Sequence, residues 1–410
     1  MNIRTVYNLS NIPKFNDLIK LDCPNTLNSN ILKMNKIKCH TNNTFYKVIT
    51  YDKSLLCCDL VSSYGLCRSI ILNSTNEVVG FAPQKSINSD IFINKYPEIT
   101  KDIQAEEFIE GTMINVFFDK SISSWEISTR NTVGATSCFF KLSPSKSFRQ
   151  MFMEAASECK LDINNLEKEL SYSFVLQHPE NRIVVPFSKP QLYLIGVYKI
   201  NNQLDNVSVS VYHVHEYQHF FSELGTSVKF PQIYEFNNYS ELIEKYWSMN
   251  VNTSYDIVGV VIRNKNTDER TKIRNPLYEQ VRYLRGNQPK LQYQYLSLRK
   301  EGKVKDFLNF YPENKKEFST FRNQVHVFTN TLYSNYVSCY IKKEKPLIEF
   351  SEEYRTHMFS IHQVYINEFR EKKLFINNSF VKNYVNELHP SLLMYCLNFQ
   401  MRKRNIDVIN

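Results

Sequence analysis

The feature that most constrains this chain is a change of apolar period part-way along it. Between residues 56 and 262 the apolar residues come mainly in short, strand-length runs. Examples are RSIILN (68–73), EVVGFAP (77–83), GTMINVFFD (111–119), SWEISTR (124–130) and SFVLQHP (173–179). RIVVPF (182–187), QLYLIGVYKI (191–200) and DIVGVVIRN (256–264) continue the pattern. One helix is expected among them, over 143–160, opened by the Ser143-Pro144 pair. From about residue 290 the period becomes helical: Phe318, Phe321, Val325, Phe328 and Leu332 form one stripe over several turns. Further helices are expected over 354–369, 381–388 and 392–401, set apart by Pro312, Pro346 and Pro390. Residues 1–55 are polar and Asn-rich and read as loops leading into a first strand. The expectation is an α+β chain: an N-terminal extension (1–55), a strand-rich domain (56–288) and an all-helical C-terminal domain (289–410).

Composition narrows the class. With 42% hydrophobic and 14% aromatic residues, a packed core is expected rather than disorder. The nine glycines among 410 residues argue against glycine-rich loops as the main phosphate-binding device. The net charge is +9, and residues 263–305 hold twelve Lys/Arg against four Asp/Glu, so this stretch supplies most of the excess. That suits a polyanionic partner, although a solvated charged face gives the same pattern. The nine cysteines include no CxxC pair, which predicts free, mostly buried thiols and a reducing compartment. No apolar run reaches membrane-spanning length, and the opening MNIRTVYNLS has no signal-peptide core, so a soluble, cytoplasmic protein is expected.

Seven short blocks occur in a telling order: CRSII (67–71), GFAPQK (80–85), EEFIEGT (106–112), WEISTRNT (125–132), FVLQHPENRIVVPF (174–187), DIVGVVIRN (256–264) and TKIRNPLY (271–278). Together they resemble the nucleotidyltransferase domain of RNA ligases of the bacteriophage T4 RNA ligase 1 type, over residues 60–285. The resemblance implies an ATP-grasp-like ligase domain of antiparallel sheets, with a helical domain after it. It also implies ATP in a pocket between two sheets, where a lysine of a K-x-(D/E)-G block attacks the α-phosphate. AMP then passes to an RNA 5′-phosphate, with carboxylates holding metal.

Carried over residue by residue, the match is partial. Glu110 and Gly111 fit the acid and glycine of the first block, where the acid would bond the ribose, but the nucleophile position holds Phe108. A phenyl ring has no lone pair to offer. Two carboxylate positions are apolar as well, Val175 and Val258, although Gln177 falls on the face of Val175. What remains is cationic: Arg68, Lys85, Arg130, Lys272 and Arg274 stand where the resemblance implies nucleotide or phosphate contacts. Each could equally be a surface cation. In the basic stretch, Arg282, Arg285, Lys290 and Arg299 interleave with Tyr278, Tyr283, Tyr293 and Tyr295, a pattern shared by base-stacking surfaces and by tyrosines packed between domains.

Other constellations are weaker. His213, His215 and His219 tempt a metal reading, but His213 and His215 alternate as on a strand and lack an acidic or thiol partner at a recognised spacing. Cys67 and Cys138 read as structural thiols. The sequence thus predicts a catalytically inactive, RNA ligase-like protein that binds RNA or nucleotide phosphates. An active ligase with a displaced nucleophile, such as Lys101 or Lys85, is the alternative, and would require ATP and Mg. A scaffold contacting partner proteins through its helical domain is a third reading. Composition rich in Asn, Lys, Ile and Tyr, together with the EEFIEGT block, suits a protein of a large cytoplasmic DNA virus.

Overall fold

The computed structural model describes residues 2–21, 31–139, 145–203, 206–247 and 254–402. The chain divides into two compact units, Met1–Gln280 and Val281–Asn410. Their architecture is α+β: antiparallel sheets make up the first unit's framework and helices the second.

The largest sheet has six strands in the order Ile3–Asn8, Asn206–Tyr212, Gln191–Gln203, Leu170–Gln177, Thr112–Asp119 and Ser124–Ser128. Alternation along these strands separates two environments. Ile114, Val116, Tyr172, Phe174, Leu176, Leu192 and Leu194 point one way and form a core with Met151, Phe152 and Ala155 of the helix Phe148–Glu158. Phe174 sits at its centre, edge-on to Phe152 at 6.1 Å and to Phe221 at 6.3 Å. The opposite face carries Met113 and Val175, paired directly across the ladder. A second sheet orders Ile233–Tyr234, Ile103–Glu107, Gly259–Asn264 and Arg270–Arg274. Its apolar face, with Ala105, Val260, Ile262 and Ile273, is covered by Phe92 and by Tyr239, Leu242 and Tyr246 of the helix Tyr239–Trp247. A third sheet joins Leu32–Lys38, Phe45–Tyr51, Ile70–Leu72 and Val78–Phe81.

Several local expectations change. Residues 1–55 are more than loops: Ile3–Asn8 is an edge strand of the largest sheet, and two strands of the third sheet lie in this stretch. The alternation was masked by Asn and Lys on solvent-facing positions, as in the burial pattern of LKMNKIK. RIVVPF forms no strand, because the N–H groups of Val184 and Val185 bond the Glu110 carboxylate instead of a ladder. The Ser143-Pro144 signal lies outside the described residues, and Ser147 caps the helix, exchanging side-chain and backbone bonds with Gln150. More than one helix interrupts the strands, Ser89–Lys95 and Tyr239–Trp247 among them.

In the second unit, the expected stripe lies on the helix Lys315–Tyr336, with Phe318, Val325, Phe328 and Leu332 buried. Glu352–Val364, Asn378–Glu387 and Pro390–Leu397 follow it. The basic stretch is helical too, over Pro276–Arg285 and Leu291–Lys300. Among the described residues no helix is long and apolar enough to cross a membrane.

Replacing the central ring, Phe174→Ala, should cost about 3–5 kcal/mol of unfolding free energy. Phe45→Ala, at a ring that is 48% exposed, should cost far less. Urea titration of both variants checks the assignment of the core.

Candidate phosphate-binding pocket

Period two places the pocket's chemistry on one face of the second sheet. Antiparallel pairing sets Gln104 opposite Arg263 and Arg263 opposite Arg270. The next row on that face is Glu106, Val261 and Lys272. Beyond it, Gly259 pairs with Arg274, and Phe108 leaves the end of its strand. The face that turns away from the apolar core is therefore studded with ions. Met113, Val175 and Ile195 of the largest sheet complete the walls of a cavity of about 150 Å³, with Arg4, Arg68 and His215.

Part of this charge is neutralised internally. Arg263 donates from Nε to Glu106 Oε1 at 3.2 Å and from Nη1 to Asp268 Oδ1 at 2.5 Å. Arg4 donates to the same Asp268 oxygen at 2.8 Å and from Nε to His213 Nδ1 at 3.2 Å. Burial alone would raise the carboxyl pKa of Glu106 and of Asp268, but Arg263 and Arg4 outweigh it and hold both below the ordinary range.

Arg274 pairs with Glu279 at 3.1 Å, whereas Arg68, Arg270 and Lys272 have no carboxylate partner among the described residues. Arg270 gives Nη2 to the carbonyl of Gln84 at 2.8 Å, while its buried Nε meets no acceptor among the described residues. Burial, with Arg263 and Arg68 nearby, pulls its pKa down to about 10. Arg68 is lowered by burial, and Arg130 adds to the effect. Lys272 is pushed furthest for its type, well below the usual lysine range, by burial and then by Arg270, Arg68, Arg274 and Arg263. Its Nζ lies 4.4 Å from the centre of the Phe108 ring, and the Arg274 guanidinium lies 5.6 Å from that same ring. Phe108 thus offers its π face to two of the cations, a contact worth about 0.5–2 kcal/mol.

The sequence-predicted residues fall into groups. Arg68, Phe108, Gly111, Val175 and Lys272 line one cavity. Arg274 reaches its Phe108 side. Arg130 lies beside Arg68, with its guanidinium 5.0 Å above the Tyr51 ring. Lys85 is not in the cavity wall; its backbone N–H bonds Gly65 O at 3.0 Å. Val258 is buried outside the wall.

Glu110 has a structural occupation. Its Oε1 accepts from the N–H groups of both Val184 and Val185 at 3.0 Å. Gln177 donates to Glu110 O at 3.0 Å, and Asn181 to Thr112 Oγ1 at 2.8 Å. The PENRIV block is therefore a clasp around the Glu110–Gly111–Thr112 turn. Gly111 adopts φ +150° there, and a Cβ would stand 2.5 Å from Leu176 O.

The basic stretch does not form a continuous stacking surface. Tyr278 and Tyr295 are buried, the latter edge-on to Phe318 at 5.1 Å, and Arg285 is buried as well. Tyr283, at 71% exposure, and Lys290 remain on the surface, with Arg282, Arg299 and Tyr293 partly so. The strand expected through His213 and His215 ends at Tyr212, and a 3-10 turn begins at Val214. Among the described residues no group of three or more His, Cys, Asp or Glu side chains converges as a metal cluster. A divalent ion held by carboxylates does not fit the side chains that line this pocket: Val175 is apolar, Glu106 is committed to Arg263, and Glu107 accepts from Gln232 N at 3.2 Å.

Sequence reasoning missed Arg4, Arg263 and Arg270. The period-two step from Lys272 and Arg274 would have found Arg270; nothing local marked Arg4.

The chain is similar to an RNA ligase of Rhodothermus phage RM378. The two are 23% identical over an alignment of 287 positions that covers 62% of this chain and 64% of the phage protein's length. No protein-family model matches. Among solved structures, an archaeal ATP-dependent RNA ligase aligns with 12% identity and a TM-score of 0.39, covering 70% of this chain and 72% of that one. A putative ATP-dependent DNA ligase from Aquifex aeolicus aligns with 10% identity and a TM-score of 0.39, covering 91% and 75%.

Two measurements test the site's construction. Glu110→Ala should lose about 1–3 kcal/mol for each backbone N–H it orphans, whereas Glu110→Gln keeps an acceptor and should lose much less. Equal losses in urea titration would refute the clasp. Lys272→Met should raise stability at neutral pH. The folded-state amine titrates below its unfolded range, so unfolding takes up a proton between the two values and wild-type stability climbs with pH there. The gap between variant and wild type should close as pH rises towards about 10.4, the unfolded lysine value.

Proposed function

We propose that this chain is an RNA ligase-like protein that holds the phosphates of a nucleotide or an RNA end, and is inactive as a ligase through position 108. One observation carries the reading: Arg68, Arg270 and Lys272 converge on a cavity without carboxylate partners of their own among the described residues, and a partly buried cationic cluster of this kind is stabilised by an anion. A phosphate group supplies several acceptor oxygens to planar guanidinium forks and to an ammonium. Similarity to the phage RNA ligase supports RNA as the polymer, and five of the seven blocks that carry the resemblance contribute residues to the cavity wall.

Phe108 occupies the position from which a lysine would attack, so the covalent step is absent there. In the second unit, Lys290 and the partly exposed Arg282 and Arg299 would make RNA contacts of their own, and the helices there would offer further surface to protein partners. A viral source and a reducing, cytoplasmic setting belong to the same reading, supported by the phage relative and by the free cysteines.

Binding of a 5′-phosphorylated RNA, followed by fluorescence anisotropy, should weaken linearly with the logarithm of salt concentration, as phosphate contacts release counterions. Arg274→Glu and Arg282→Glu should each weaken it and flatten that slope. Absence of binding at low salt, or indifference to both reversals, would reject the proposal.

A further inference from the structure

We infer that Lys272 is itself a covalent acceptor for a nucleotidyl group, taking the α-phosphate of a nucleoside triphosphate bound in the cavity. This rests on the phosphate-binding reading above and goes beyond it, because it restores chemistry to a pocket whose expected nucleophile is a phenylalanine.

The argument starts from the geometry. Lys272 Nζ faces the cavity over the Phe108 ring and has no hydrogen-bond acceptor or carboxylate partner among the described residues. An ammonium ion normally carries three donors that demand acceptors. One enclosed by an aromatic face and arginines is better accommodated as a neutral amine, which has a free electron pair. The depressed amine pKa agrees with this. Lysines desolvated beside other cations become nucleophiles for the same reason.

Two of the arginines that expel the proton, Arg68 and Arg270, can also receive the substrate's charge, while Arg274 is paired with Glu279 and Arg263 with Glu106 and Asp268. Arg68 and Arg270 line the cavity with Lys272, and Arg274 flanks the Phe108 ring. Guanidinium groups stay charged at neutral pH, so they can balance the phosphates without a divalent ion. This matters because the acidic side chains at hand, Glu106 and Glu107, already hold Arg263 and the Gln232 N–H. Phe108 contributes as a wall: its ring excludes water from one side of Nζ and leaves the other side open to the cavity.

The step balances simply. The Nζ electron pair forms a bond to the α-phosphorus, and the bond from that phosphorus to the bridging oxygen breaks. Pyrophosphate departs with the electron pair, and the nitrogen loses one proton to water, leaving a phosphoramidate. Bound phosphates favour the protonated amine, so the rate should rise with pH.

The test uses the full chain and ATP labelled at the α-phosphate, with and without EDTA. The expected result is a label that is acid-labile and alkali-stable, is retained in EDTA, and maps by tandem mass spectrometry to Lys272. Lys272→Arg keeps a cation in the phosphate pocket and should bind ATP in equilibrium dialysis yet take no label. ATP that binds the wild-type chain without labelling it, or a label that persists in Lys272→Arg, overturns the inference alone. Failure of ATP to bind at all overturns the phosphate-pocket reading for nucleotides and the inference with it. Loss of label in EDTA overturns the assignment of charge balance to the arginines.

Discussion

The bonds from Arg263 to Glu106 and Asp268 hold three parts of the first unit in one arrangement. Glu106 belongs to the strand next to that of Arg263, Asp268 to the turn that follows it, and Arg4, bound to the same aspartate, to the edge strand of another sheet. Buried charges of this kind are costly to leave unpaired, so the register of these segments is tightly specified. With the register set, every second residue on the same face is aimed at the cavity. The pocket is thus a consequence of charge pairing within its own wall, where cations without an acidic partner among the described residues stand beside paired ones.

That arrangement explains why the two kinds of arginine behave differently. Arg263 is buried and satisfied, and its charge is fixed by two carboxylates. Arg270, directly across the ladder, shares the burial but has a carbonyl in place of a carboxylate for its Nη2. The field that these groups create falls on Lys272. One ladder therefore carries a structural ion pair and a reactive-type environment within adjacent rows, separated only by which cations have acids to answer them.

Much of this was legible in the sequence. The strand-length runs at 111–119, 173–179 and 191–200 fall on the strands Thr112–Asp119, Leu170–Gln177 and Gln191–Gln203, and the stripe at Phe318, Val325, Phe328 and Leu332 falls on the long helix. Arg68, Phe108, Gly111, Val175 and Lys272, far apart in the chain, line one cavity. What was not legible depends on long-range partners. The N-terminal strand is recruited by pairing with Asn206–Tyr212, and it leaves Ile3 and Val6 exposed while turning Arg4 inward, so no apolar-in alternation marks it. RIVVPF has strand composition, but a glutamate more than seventy residues away takes its N–H groups. The tyrosines of the basic stretch alternate with cations in sequence, yet the helix turns Tyr278 and Tyr295 inward.

The clasp around Glu110 has a consequence for how such chains are recognised and probed. The stretch most reminiscent of the ligases is held by bonds that the backbone needs, whatever chemistry the cavity performs. Selection for folding alone would preserve it. A motif of this kind therefore records ancestry of architecture and is silent about turnover. A mutational screen scoring only loss of activity at Glu110 or Asn181 would mistake collapse of a turn for loss of a reactive group.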